Sequence, residues 1–146
     1  MNRHLITIFI SFLILVVIFV LFRRSEKITG VEIGGKIFSI ELAQTKKELE
    51  KGLSGHAPLL DGQGMLFVFS RSGRYGFWMK DMSFPIDIIW IDSNFKIVSI
   101  EKSVLPETYP EVFYPESSSL YVLEILAGQA DTIGLKTGDG LQFIKK

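Results

Sequence analysis

The chain has 146 residues, with 16 basic and 16 acidic side chains, two histidines and no cysteine. That length gives room for one domain, and the missing cysteine excludes disulfides and thiol chemistry while leaving the redox compartment open. Arg3, Arg23 and Arg24 in the first 24 residues are opposed by no acid, so the remainder holds 16 acidic against 13 basic side chains, a net of −3 that offers no electrostatic case for nucleic acid.

Leu5 to Phe22, LITIFISFLILVVIFVLF, carries no charge and only Thr7 and Ser11 as polar interruptions. As a helix it spans roughly 27 Å, close to the hydrocarbon thickness of a bilayer, which predicts a single transmembrane helix with the membrane as partner through residues 5–22. A cleaved secretory signal needs a short apolar region and small residues at the cleavage site. This segment instead runs through Phe19, Val20, Leu21 and Phe22 into Arg23 and Arg24, so residues 1–24 are expected to stay attached as an anchor. Arg3 and the terminal amine flank one end and Arg23, Arg24 and Lys27 the other, and a difference of about one charge does not set the orientation. Residues 25–30 read as a short polar linker and 31–146 as the folded domain.

In that domain Val31 to Ala43 alternates apolar and polar residues on both sides of Gly34 and Gly35, the pattern of a hairpin whose two-residue turn needs positive φ. Thr45 and Glu48 form a capping box, and Gly52 supplies the stop of a short helix. Leu53 to Gly64 reads as a loop containing His56. Met65 to Phe69 is an apolar run suited to a strand buried on both faces, Ser70 to Gly76 a turn, and Phe77 to Met79 a resumption of the apolar run. Pro85 precedes a strand from Ile86 to Asp92; Ser93 and Asn94 turn the chain into a return strand, Phe95 to Ile100.

Pro106, Pro110 and Pro115 forbid helix and central strand over the next stretch and leave an extended loop carrying Tyr109, Phe113 and Tyr114. Leu120 to Leu126 is another strand, Ala127 to Leu135 has room for one helical turn, and Leu141 to Ile144 closes the sheet. Seven or eight strands with one short helix predict a mainly β fold, an antiparallel sandwich or a small barrel, behind a single N-terminal transmembrane helix.

The sequence lacks a nucleophile elbow, a phosphate-binding glycine loop, histidines paired at helical spacing and clustered cysteines. His56 is the one histidine beyond the anchor segment, which argues against a zinc site, and no metal or cofactor is expected. Chemistry would fall to carboxylates, lysine, arginine and tyrosine. Lys80 and Asp81 follow an apolar run directly, either as a desolvated lysine beside a base or as an ion pair finishing a strand. Asp87 and Glu124 each interrupt an apolar strand; facing inward they need partners such as Arg71, Arg74 or Lys80, and facing outward they are ordinary solvent-side residues. Trp78 and Trp90 fit core positions better than a ligand platform, and Asp139 in TGDG fits a turn.

Gly52 and Leu53, GMLFVF at Gly64 to Phe69, FWMK at Phe77 to Lys80, PID at Pro85 to Asp87, Leu123 with Glu124, Gly128, and Gly138 with Asp139 together resemble the domain of unknown function 192 family over about Val31 to Phe143. The resemblance implies a compact β-sandwich or jelly-roll-like domain, often behind a signal or membrane segment, and on that ground the C-terminal domain is expected outside the cytoplasm. It implies no activity. Trp78, Lys80, Asp87 and Glu124 carry over as shared motif members. His56 stands where the resemblance implies arginine, Asp81 and Met82 where it implies asparagine and threonine, and Phe95 where it implies a turn glycine.

The expected function is a membrane-tethered extracytoplasmic binding module for a small ligand or envelope component, with His56, Trp78, Lys80, Asp81, Asp87 and Glu124 as candidate ligand-binding residues. The alternative is a hydrolase or lyase using Lys80 with Asp81, Asp87 or Glu124, and a third reading is a structural module with an internal salt-bridge network. The first two require the charged residues of the two tryptophan-bearing stretches to gather at one mouth of the β shell.

Overall fold

The computed structural model describes residues 9–15 and 27–146. Of the transmembrane helix expected over residues 5–22, residues 9–15 are helical and the rest lies outside the described residues. Among the described residues no helix is long and apolar enough to cross a membrane.

The domain opens with β1 (Ile28–Ile33), which begins inside the expected linker, and β2 (Lys36–Ala43). Ile33 pairs with Lys36 across Gly34 and Gly35, whose φ values of 57° and 73° supply the tight turn. Helix α1 (Lys46–Lys51) follows. Its Thr45 hydroxyl accepts from the Glu48 N–H at 3.3 Å, and the Glu48 carboxylate accepts from the Thr45 and Gln44 N–H groups at 2.9 and 3.0 Å. Those backbone donors, Thr45 first, hold the Glu48 carboxyl below its ordinary pKa. Gly52 ends the helix with φ 50°.

The remaining strands are β3 (Gln63–Gly73), β4 (Ile86–Ile91), β5 (Ile97–Val104), β6 (Ser119–Leu126) and β7 (Leu141–Lys145), with a 3-10 turn at Pro106–Thr108 and the one-turn helix α2 (Gln129–Thr132) after β6. With β1 and β2 they form a single seven-stranded sheet in the order β5-β4-β6-β3-β2-β1-β7. The expectation of a wholly antiparallel sheet is corrected by β2 and β3, which run parallel from Ser39 opposite Gln63 to Ala43 opposite Phe67. Residues 44–62, with α1 inside them, are long enough to carry the chain back to the starting end of the sheet, as parallel neighbours require. The two edge strands meet at one end: the Ile97 N–H donates to the Asp139 carbonyl at 2.9 Å and the Leu141 N–H to that of Phe95 at 2.9 Å.

Other boundaries differ from expectation, β5 among them, which runs on from Ile100 to Val104. β3 runs on through Ser70 to Gly73, where Gly73 still pairs with Ser119, and the apolar run at Phe77 makes only an isolated bridge to Phe113.

The period-two alternation of the strands divides the core between the sheet's faces. Ile89, Ile91, Leu66, Leu123 and Ile125 pack with Val31, Phe38, Ala130 and Leu135 on one face. Ile86, Ile88, Trp90, Met65, Phe67 and Val122 pack with Leu53, Phe77, Met79 and Phe84 on the other. All six residues of β4 are buried, as expected for a strand covered on both sides. Trp90 lies in this core, as its sequence context predicts, and its indole N–H donates to the Tyr75 carbonyl at 2.9 Å.

Candidate functional site

A cavity of about 120 Å³ opens on the second face, between the C-terminal end of α1, the 52–54 turn, β3 and the segment 75–82. Phe67, Phe69, Tyr75, Phe77 and Trp78 supply rings to its wall; Leu49, Leu53 and Met82 add aliphatic surface, and Glu124 contributes a carboxyl. Local sequence explains the shape. On β6 the alternation that buries Val122 places Glu124 on the same face, directly across from Met65 of β3 and Ile88 of β4. A Cβ at Gly64 would lie 2.8 Å from the Glu124 carbonyl oxygen, so glycine permits the close approach of the two strands there. A Cβ at Gly76 would lie 2.6 Å from the side chains of Val112 and Tyr114, so glycine lets the loop after the 3-10 turn lie against the cavity rim.

Glu124 is 4% exposed. Burial among apolar groups pushes its pKa up to about 8, because the charged form loses its hydration. Its Oε2 atom is buried and has no hydrogen-bond partner among the described residues. An unmet buried carboxyl of this kind costs on the order of 1–3 kcal/mol.

Trp78, expected in the core, is instead 46% exposed at the cavity wall. In the run Phe77, Trp78, Met79 the outer two side chains are buried and the middle one is exposed, so extended backbone turns Trp78 outward. Its ring meets Tyr109 edge-on at 5.7 Å, and the Lys80 ammonium stands 5.9 Å from its centroid. Lys80 and Asp81 are exposed, and neither forms an ion pair among the described residues. Their backbone does other work: the Lys80 carbonyl accepts from the Ser54 hydroxyl at 2.7 Å and the Asp81 carbonyl from the Gly55 N–H at 2.9 Å, tying the turn after α1 to the cavity rim.

Asp87 lies elsewhere. It pairs with Ile125, on the face opposite Glu124, and is fully buried. The partners expected for it, Arg71, Arg74 or Lys80, are replaced by backbone: its carboxylate accepts from the N–H groups of Ser103 at 2.8 Å, Gly128 at 3.1 Å and Ala130 at 2.8 Å. One side chain thus ties β5 to the β6–α2 connection, and arginine is not needed. His56 lines a separate recess of about 220 Å³ with Glu41, Glu48, Lys51 and Met65.

Of the six candidates, Trp78 and Glu124 line one cavity, Lys80 stands beside Trp78 without lining it, and Asp81, Asp87 and His56 do not line it. Met82, noted from the sequence as a departure beside Asp81, belongs to the wall, as do Phe69, Tyr75 and Leu49, which sequence reasoning did not single out. The signal available for Phe69 and Tyr75 was the density of rings in FVFSRSGRYGFW, which reads equally well as core; Leu49 carried none.

A profile of the DUF192 family, described as an uncharacterized ACR, matches residues 29–143, nearly the whole β domain. The chain belongs to the DUF192 family. Two solved structures share the architecture. A protein of unknown function from Novosphingobium aromaticivorans DSM 12444 is 28% identical with a TM-score of 0.75, the match covering 82% of this chain and 94% of that one. A protein titled a putative transcription regulator from Sinorhizobium meliloti 1021 is 27% identical with a TM-score of 0.74, over 83% and 97% of the two chains. No curated protein matches.

Two departures from the DUF192 pattern have a structural counterpart. Phe95, where the resemblance implies glycine, has φ 61°, and Asp81, where it implies asparagine, has φ 55°. Both are left-handed positions that favour glycine or asparagine, and aspartate tolerates them better than phenylalanine.

Proposed function

We propose that this DUF192 protein is a membrane-tethered module, with its curled, barrel-like β domain outside the cytoplasm, that binds a small ligand or part of an envelope component in the Glu124 cavity without turning it over. The observation that carries the binding reading is the buried, unpartnered Glu124 carboxyl in a wall of aromatic rings. A concave apolar site with one convergent polar group is the usual form of a small-molecule site. Tethering is supported by the apolar run at residues 5–22 and by the exposure of Phe9, Ile10, Phe12, Leu13, Ile14 and Leu15 on the helix of residues 9–15, where Ser11 alone is polar.

The binding reading is tested by a protein-observed NMR fragment screen on the full chain in detergent. Fragments that bind are expected to shift the Trp78 indole resonance, to weaken with Glu124→Gln and Trp78→Ala, and to be recovered unchanged. A screen in which no fragment moves Trp78 or Glu124 overturns it.

One observation favours the hydrolase or lyase reading: a carboxyl near 8 in a cleft keeps its proton at neutral pH and suits a general acid. Of the residues named for that chemistry, Glu124 alone lines the cavity. Recovery of a chemically altered fragment, lost in Glu124→Gln, decides for it.

A further inference from the structure

Building on the cavity as a ligand site, we propose that the group it receives is a primary ammonium on a short, unbranched apolar arm, held by the Glu124 carboxylate within the ring of aromatic side chains. Four observations converge on that chemistry. The buried Oε2 of Glu124 lacks a donor, and a primary ammonium brings three. Five aromatic side chains line the same cavity, and an aromatic ring attracts a cation and disfavours an anion wherever its face is met. The cavity, about 120 Å³, is smaller than the ~150 Å³ site that accepts benzene, so a linear arm of a few carbons fits and a bulky one does not. Beyond the anchor segment the chain carries a net charge of −3, which favours the approach of cations.

Among the described residues no cation fills the role. Lys80 stands over Trp78 outside the cavity, and Lys51 reaches the wall from the end of α1 without bonding Glu124. The groups packed directly across from Glu124 are Met65 of β3 and Ile88 of β4, both uncharged; Glu50 and Lys51 of α1 and Tyr75 are the other titratable groups in the wall. Tyr75 is engaged, its hydroxyl donating to the Arg71 carbonyl at 2.7 Å.

Binding is a proton exchange. The neutral carboxyl releases its proton to solvent, the alkylammonium enters with its three N–H groups intact, and the ion pair forms in place of the unpaired acid. With the Glu124 carboxyl near 8 in the free protein, affinity for the cation rises with pH and levels once the carboxyl is ionised.

The test uses the full chain in detergent with three probes: n-butylammonium chloride, n-butanol and tetramethylammonium chloride, followed by calorimetry and by the Trp78 indole resonance. n-Butylammonium is expected to bind about tenfold more tightly at pH 7 than at pH 6, with the gain levelling above pH 8. Butanol should bind more weakly and without pH dependence, and tetramethylammonium, which has no N–H, should be rejected. Glu124→Gln, which keeps the side chain's shape, should remove the pH dependence. Butanol binding as tightly as n-butylammonium, or tetramethylammonium binding equally well, overturns the ammonium assignment and leaves the cavity as a ligand site. Failure of all three probes to bind or to move Trp78 overturns both. The wild-type pH profile decides the matter even if the variant does not fold.

Discussion

Asp87 and Glu124 sit on adjacent central strands, both buried, and differ in every partner. Three backbone N–H groups satisfy Asp87, and none satisfies the Oε2 of Glu124. Asp87→Ala is therefore expected to cost on the order of 3–5 kcal/mol in urea unfolding, by orphaning three donors around α2 and β5. Glu124 has the reverse thermodynamics. Its folded pKa of about 8 exceeds the ordinary 4.5, so the folded state holds a proton that the unfolded state releases. The contribution of Glu124 to stability is then fully present below the unfolded value and is lost as pH rises toward 8. Unfolding curves at several pH values should show that decline in the wild type and a flatter profile in Glu124→Gln. From the sequence both carboxylates were visible as interruptions of apolar strands. Their opposite faces follow from register, which depends on how β4 and β6 align and leaves no mark on either segment alone.

At the scale of elements, local chemistry was legible and long-range placement was not. Gly34-Gly35, the Thr45 to Glu48 capping box and the Gly52 stop are short-range devices whose partners lie within a few residues, and all three formed. The parallel β2–β3 pair was missed because strand direction depends on where the 44–62 crossover lands, and Trp78 was placed inside because an apolar run does not reveal which of its residues extended backbone turns outward. Thr45→Ala should lower stability by about 1 kcal/mol. Since the end of α1 lines the cavity, it should also weaken fragment binding, a change visible in the same NMR screen. In the β4–β5 turn, Phe95 holds φ 61° while its ring stacks on Tyr121 at 5.5 Å and meets Phe143 edge-on at 5.2 Å. Phe95→Gly relieves about 1 kcal/mol of backbone strain and removes two ring contacts worth roughly 0.5–1.5 kcal/mol each along with their buried area. Thermal unfolding should show a net loss of stability.

The whole molecule joins an apolar N-terminal run to a seven-stranded DUF192 domain whose edge strands touch at one end and whose second face holds the cavity. The full chain is expected in the membrane fraction, with the β domain open to protease added outside intact cells; protection from that protease would place it on the inner side. The composition that predicts a mainly β domain could not locate the cavity, because its wall combines residues from α1, β3, β6 and the 75–82 segment. All of the functional reading rests on one carboxyl being out of water and without a partner. Its most direct test is a carbon-13 NMR titration of the Glu124 side-chain carboxyl in the unliganded full chain. A midpoint near 8 is the expected result, and a midpoint near the ordinary 4.5 would contradict it.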